Sequence, residues 1–293
     1  MVVDRYRPRG LILDLAILVG VPALLLGVYC LPEPTRIELA LLYTEPTVLS
    51  AYTMHFVHLS ADHLVTNLVA YLLVVPLTYV LAVRAGRRDV FRVATVTFLV
   101  AFPLVLSGLN LLVERPRIGY GFSGINMAFL GLLPLMLLSY LKRHAPATFE
   151  LDHAPALFFA GVGLIAALAV PSPRLRLGIA GFAACGATLY LRGLTPIRRL
   201  RADVRSLFAE EGAEYAVVGL LVFGLLPIAA FPPDPTGAGS VLNLYTHLLG
   251  YCLGFIAPYA TVTLLDGARS PSAGDQGRTP IDSSQSALDR FYG

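Results

Sequence analysis

Three short stretches concentrate residues able to do chemistry within an otherwise apolar chain. "HFVHLSADHLVTNL" carries His55, His58, His63 and Asn67, "YGFSGINMAFLG" carries Ser123 between Gly121 and Gly124, and "NLYTHLLGYCLG" carries His247 ahead of Gly250 and Gly254. Imidazoles ligate metals, relay protons and act as general bases, and a serine hydroxyl becomes a nucleophile when a base on another segment reaches it. A zinc site from His55, His58 and His63 is disfavoured, because HExxH is absent and the stretch does not complete a ligand set. The GxSxG elbow of soluble hydrolases is also excluded, since Ile125 stands where its last glycine would be. That leaves a proton path, a packed structural role or a serine and histidine acting together.

The elements that position these residues must be membrane helices. The chain has 293 residues, of which 56% are hydrophobic and 14% charged, with a mean hydropathy of +0.69. A soluble surface does not accommodate that composition. Windows of apolar residues bounded by charge, Pro or Gly predict spans at about 10–31, 63–83, 90–113, 123–141, 154–170, 176–191, 213–231 and 241–265. Pro171 and Pro173 allow the fifth and sixth to form one re-entrant hairpin instead of two crossings. Residues 1–9 read as a cytoplasmic N-terminus and 10–265 as one membrane domain. Residues 266–293 are too polar to fold alone and read as a disordered cytoplasmic tail.

Positive charge sets the orientation. With the N-terminus inside, every Lys and Arg except Arg36, Arg115, Arg117, Arg174 and Arg176 lies on the cytoplasmic side, as does the C-terminus. The segment from Arg192 to Gly212 then reads as a cytoplasmic connector holding a short amphipathic helix. Cys30, Cys185 and Cys252 lack CxxC spacing and read as small buried hydrophobes, not a disulfide frame or metal site. A net charge of +3 gives no argument for a nucleic-acid partner. Asp14, about one turn into the first span, is expected to snorkel inward or cap a contact.

In this orientation the second, fourth and eighth helices run from outside to inside, and each carries its polar cluster in its first turns. His63 and Asn67, four residues apart, share one helix face. Gly124 and Ala128 form a small-xxx-small face beside Ser123, and Gly250 and Gly254 form a GxxxG face after His247. Small residues let membrane helices approach to backbone contact, so the serine and histidine helices are expected to touch.

At these residues the sequence resembles the rhomboid intramembrane serine proteases. His58, His63 and Asn67 match the family's histidine, second histidine and asparagine. Gly121, Phe122, Ser123 and Gly124 match its GxSG, while His247, Gly250 and Gly254 match its histidine with two spaced glycines. The resemblance implies an all-α polytopic bundle, a six-helix core with about two further helices between the serine and histidine helices. It implies Ser123 as nucleophile, His247 as general base, and an oxyanion hole from His63, Asn67 and the Ser123 amide. Gly121, Gly124, Gly250, Gly254 and His58 would support the site, His58 by ordering the loop, with no metal or cofactor. The substrates would be transmembrane segments of membrane-anchored proteins, cut at the outer face of a prokaryotic plasma membrane. "FPPDPTGAGS", from Phe231 to Ser240, would cap the site.

The chain departs from the family in lacking any Trp, so the usual Trp-Arg pair of the first outer loop is missing. Two other functions compete. A non-proteolytic rhomboid-like protein would bind transmembrane helices without needing Ser123 and His247, and a transporter or proton carrier would need polar residues through the whole membrane depth.

Overall fold

The computed structural model describes residues 8–113, 118–144, 149–192, 205, 212–233 and 243–269. The expected cytoplasmic helix between Arg192 and Gly212, most of the Phe231–Ser240 cap and the tail beyond Arg269 lie outside the described residues. The chain resolves into a unit from Met1 to Pro258 and a second from Tyr259 to Gly293. What the second unit contributes is the end of the last helix.

The helices, in chain order, are α1 (Pro8–Tyr29), α2 (Glu33–Leu39), α3 (Val48–Thr53), α4 (Ala61–Arg84), α5 (Arg88–Val100), α6 (Phe102–Leu111), α7 (Ser123–His144), α8 (Ala154–Ala169), α9 (Pro173–Leu191), α10 (Ala213–Ala230) and α11 (Leu244–Arg269). Strands β1 (Leu41–Leu42) and β2 (Ile118–Gly119) form one small antiparallel ladder. The protein is a mainly α-helical polytopic bundle. Among the described residues, five helices are long and apolar enough to cross a bilayer singly, or up to seven candidate spans if two bent helix pairs each count as one. Exposed aliphatic side chains such as Ile12, Val65 and Leu225 present an apolar face suited to lipid.

Three expected spans differ. The first, predicted over 10–31, reaches the length and hydropathy of a crossing only together with α2, across a bend of 118°. The predicted 90–113 helix is broken into α5 and α6, bent by 47°. Pro103 is the cause, because it has no N–H for the carbonyl of Leu99 and its ring crowds that turn. The freed Leu99 carbonyl accepts a 3.0 Å bond from the Tyr52 hydroxyl instead. The predicted 176–191 span corresponds to α9, which is not among the helices apolar enough to cross. Arg174 and Arg176 in its first turn lower its hydropathy, and it packs along α8 as a hairpin.

At the centre is α7, whose apolar window is entirely buried. A helix apolar on every side belongs in the middle of a bundle, and α7 touches α4, α5, α6, α8 and α10. Its last turn carries Lys142, Arg143 and His144, which complement the negative helix end.

Asp14 does not snorkel. It is buried on α1, where its carboxylate accepts 2.6 Å bonds from Tyr79 Oη and Arg92 Nε and also pairs with Arg88. This ties α1 to α4 and α5. Asp14→Asn leaves Arg88 without its carboxylate and Arg92 with only the exposed Asp89 at 3.6 Å, and is expected to cost about 3 kcal/mol. Thermal unfolding in detergent measures it, and an unchanged midpoint contradicts the assignment.

Candidate active site

The loop between α1 and α4 is built, not loose. Arg36 lies over the Tyr29 ring at 4.6 Å and donates a 2.6 Å bond to the His58 carbonyl. Thr47 and Ser50 form a reciprocal capping box that starts α3. His55 Nε2 lies 3.0 Å from both the Pro103 carbonyl and Ser107 Oγ. A carbonyl only accepts, so Nε2 carries the proton. Through β1 the loop pairs with β2, and the amide of Gly121 donates a 2.9 Å bond to Met54 O. The segment leading into Ser123 is thus held on both sides.

His55 and His58 are both fully buried. Burial pushes His55 down to about 4. Burial, with the neighbouring His63 ring adding to it, pushes His58 down to about 3. A histidine with a lowered folded pKa gives stability that is present above its unfolded value, about 6.5, and lost as pH falls. From pH 7 to pH 5 the unfolding free energy is therefore expected to fall by about 2 kcal/mol for each histidine, and the thermal midpoint with it. The His55→Gln variant should show a shallower drop in the same titration, and an equally steep one contradicts the account.

His63 and Asn67 lie in the first turns of α4, whose N-cap Ser60 accepts from the His63 amide at 3.3 Å. Gly121 adopts φ +115°, a left-handed conformation that favours glycine. The His63 ring lies directly against it: a Cβ on Gly121 would sit 2.6 Å from Cε1. The ring also packs edge-on to Tyr120 and His58. Asn67 is buried and donates from Nδ2 to its own helix at His63 O, 2.9 Å away. An amide nitrogen has two hydrogens, so one remains for a ligand. Asn126, one turn after Ser123, donates to Asn67 O at 2.9 Å and fixes α4 against α7.

Ser123 is the first residue of α7. At this position the backbone N–H groups have no intrahelical acceptor and the helix dipole is positive. His247 is in the first turn of α11 and is buried. The two helices touch backbone to backbone. A Cβ on Gly250 would lie 2.0 Å from the Gly124 carbonyl oxygen, and one on Gly254 would lie 2.1 Å from that of Ala128. Gly124 itself faces Thr246, with 2.7 Å between its hypothetical Cβ and Thr246 Cγ2. The residue after Ser123 therefore packs on the residue before His247. No hydrogen bond joins Ser123 to His247 among the described residues; bonds of this kind often tighten only when substrate binds.

The imidazole of His247 is oriented from behind. Its Nδ1 lies 2.8 Å from the carbonyl of Ala230, the last residue of α10, where carbonyls lack helical partners. Because the carbonyl only accepts, Nδ1 holds the proton and Nε2 carries the lone pair of the neutral ring. Phe231 packs edge-on against the ring, 5.7 Å between centroids.

The structure thus gathers His58, His63, Asn67, Gly121, Ser123, Gly124, His247, Gly250 and Gly254 at one end of the bundle. Asn126, the Ala230 carbonyl, Arg36 and Gly131 were not found by sequence reasoning. Gly131 had a usable signal, since it extends the Gly124 and Ala128 stripe by one turn; a Cβ there would lie 2.2 Å from Tyr251 O. Among the described residues no group of His, Cys, Asp and Glu is arranged to hold a metal ion. Compared with protein-family models, with curated proteins and with solved structures, the chain matches none of them.

Proposed function

We propose that the protein is an intramembrane serine endopeptidase of rhomboid type, cutting peptide bonds in or beside the transmembrane segments of membrane-anchored proteins. The observation that carries this reading is the backbone contact of α7 with α11 through Gly124, Ala128, Gly250 and Gly254, beside a His247 whose Nε2 is set as a base. In the proposed reaction, Ser123 Oγ attacks the scissile carbonyl carbon while His247 Nε2 takes the hydroxyl proton. The oxyanion receives hydrogen bonds from the Ser123 amide, Asn67 Nδ2 and His63. The C–N bond then breaks, and His247 returns the proton to the leaving amine. Water, deprotonated by His247, cleaves the acyl ester and restores Ser123.

No carboxylate is required behind His247. The Ala230 carbonyl supports the reading by doing the orienting work of a third triad member, fixing the tautomer without adding charge. A proton carrier finds less support. Thr78, Thr95 and Ser139, buried deeper in the helices, donate to carbonyls of their own preceding turns and offer no relay. On this reading the site opens to the outer face of the plasma membrane, with both termini cytoplasmic. The test is incubation with a single-span substrate in liposomes, with products mapped by mass spectrometry. Cleavage within or next to the span is the expected result; binding without cleavage contradicts it and favours a non-proteolytic helix binder.

A further inference from the structure

A second polar network lies beside the dyad and takes no part in the chemistry above. Asn110, near the end of α6, is fully buried. Its Oδ1 accepts two bonds from the start of α11, from Asn243 Nδ2 at 2.8 Å and from Thr246 Oγ1 at 2.9 Å. Its Nδ2 donates back to Leu106 O at 2.8 Å, which fixes the amide's orientation. Asn243 then caps α11, its Oδ1 accepting from the Thr246 amide at 3.1 Å. One amide oxygen on α6 therefore holds both the cap and the third residue of the histidine helix.

The position of that third residue matters for both halves of the candidate dyad. Thr246 precedes His247 in the chain, and its methyl group packs on Gly124, the neighbour of Ser123. Its hydroxyl bonds to α6 while its methyl faces α7, so the Asn110 bond holds the first turn of α11 in place at the level of Gly124. Asn243 Nδ2 additionally lies 3.4 Å from the Tyr43 hydroxyl, and Tyr43 packs on Gly119 of β2, the strand that leads into Ser123. Buried polar networks of this kind specify one arrangement because any slip leaves a donor or acceptor unpaired.

We propose that Asn110, acting through Thr246 and Asn243, is a positioning residue that sets His247 Nε2 against Ser123. This rests on the protease reading. A small displacement of a catalytic base costs rate without weakening substrate binding, so the signature is a split between kcat and KM.

The experiment uses the full chain in liposomes and compares Thr246→Val, which keeps the methyl packing and loses the hydroxyl, with Thr246→Ser, which keeps the hydroxyl and loses the methyl. Thr246→Val and Asn110→Leu are each expected to lower kcat on the order of 10- to 100-fold with KM little changed. Phosphonate labelling of Ser123 should slow in step, and Thr246→Ser should stay near wild type. The double variant should be no slower than Asn110→Leu alone, as for two residues of one network. Thr95→Val, which removes a buried hydroxyl on α5, should lower the unfolding midpoint and leave kcat unchanged. Thr246→Val at wild-type kcat, or Thr246→Ser as slow as Thr246→Val, overturns the proposal while leaving the protease reading intact. Wild-type protein that neither labels nor cleaves overturns the reading beneath it. Because Thr246→Val is isosteric, it decides the question even where Asn110→Leu fails to fold.

Discussion

Ser123→Ala and His247→Ala are each expected to lower cleavage of a transmembrane substrate by on the order of 10⁴-fold or more, and the double variant is expected to be no slower than either alone. Nucleophile and base act as a unit: without the hydroxyl there is nothing for His247 to deprotonate, and without the lone pair Ser123 is a poor nucleophile at neutral pH. Ser123→Ala should keep the wild-type unfolding midpoint, because Ser123 stands at a helix start, whereas His247→Ala should lower it while the protein still folds, because it vacates a buried ring and its bond to Ala230 O. Initial rates in liposomes, followed by gel, check the first claim, and thermal unfolding in detergent the second. A His247→Ala protein with more than a few per cent of wild-type activity removes the base from the mechanism.

Adding one methyl group to the helix contact is expected to cost almost as much activity as removing the dyad, by a different route. At Gly250 the new carbon would meet the Gly124 carbonyl oxygen at 2.0 Å, and at Gly254 it would meet Ala128 O at 2.1 Å and Ala128 Cα at 2.5 Å. These obstacles are backbone and do not turn aside, so α7 and α11 must move apart. Overpacking of a tight core costs roughly 1–3 kcal/mol, and the displacement falls on the residues that flank Ser123 and His247. Gly250→Ala and Gly254→Ala should therefore lose stability and at least about 100-fold in rate. Gly20→Ala on α1, where a Cβ meets nothing within 4 Å, should match wild type in both. Equal behaviour of the three variants contradicts the close approach.

How much of this was legible in the sequence depends on the kind of interaction. The apolar spans were, because a bilayer demands about 20 apolar residues in a row and forces them into helices. The meeting of α7 and α11 was legible too, since Gly124 and Ala128 on one helix and Gly250 and Gly254 on the other recur at the same spacing of four. The bend at Pro103 and the shortfall of α9 had visible causes, in a proline and two arginines, that span-finding by mean hydropathy passes over. What stayed hidden were long-range polar pairings. Nothing in the sequence says that Asn110 meets Thr246, 136 positions away, or that Tyr52 replaces the amide that Pro103 lacks. A buried polar residue announces only that it needs a partner. Asp14 illustrates the same limit: its charge left open escape to water or the capping of a contact, and did not say that Arg88, Arg92 and Tyr79 converge on it from two other helices. The Ala230 carbonyl was invisible for a simpler reason, since every residue has one.

The central claim, that Ser123 is a nucleophile activated by His247, is tested most directly by a serine-directed fluorophosphonate and peptide mapping of the adduct. The account predicts one adduct, on Ser123, in wild-type protein, its formation abolished by His247→Ala and slowed by Asn67→Ala. A wild-type protein that takes up no phosphonate at Ser123, or that labels as fast without His247 as with it, contradicts the account.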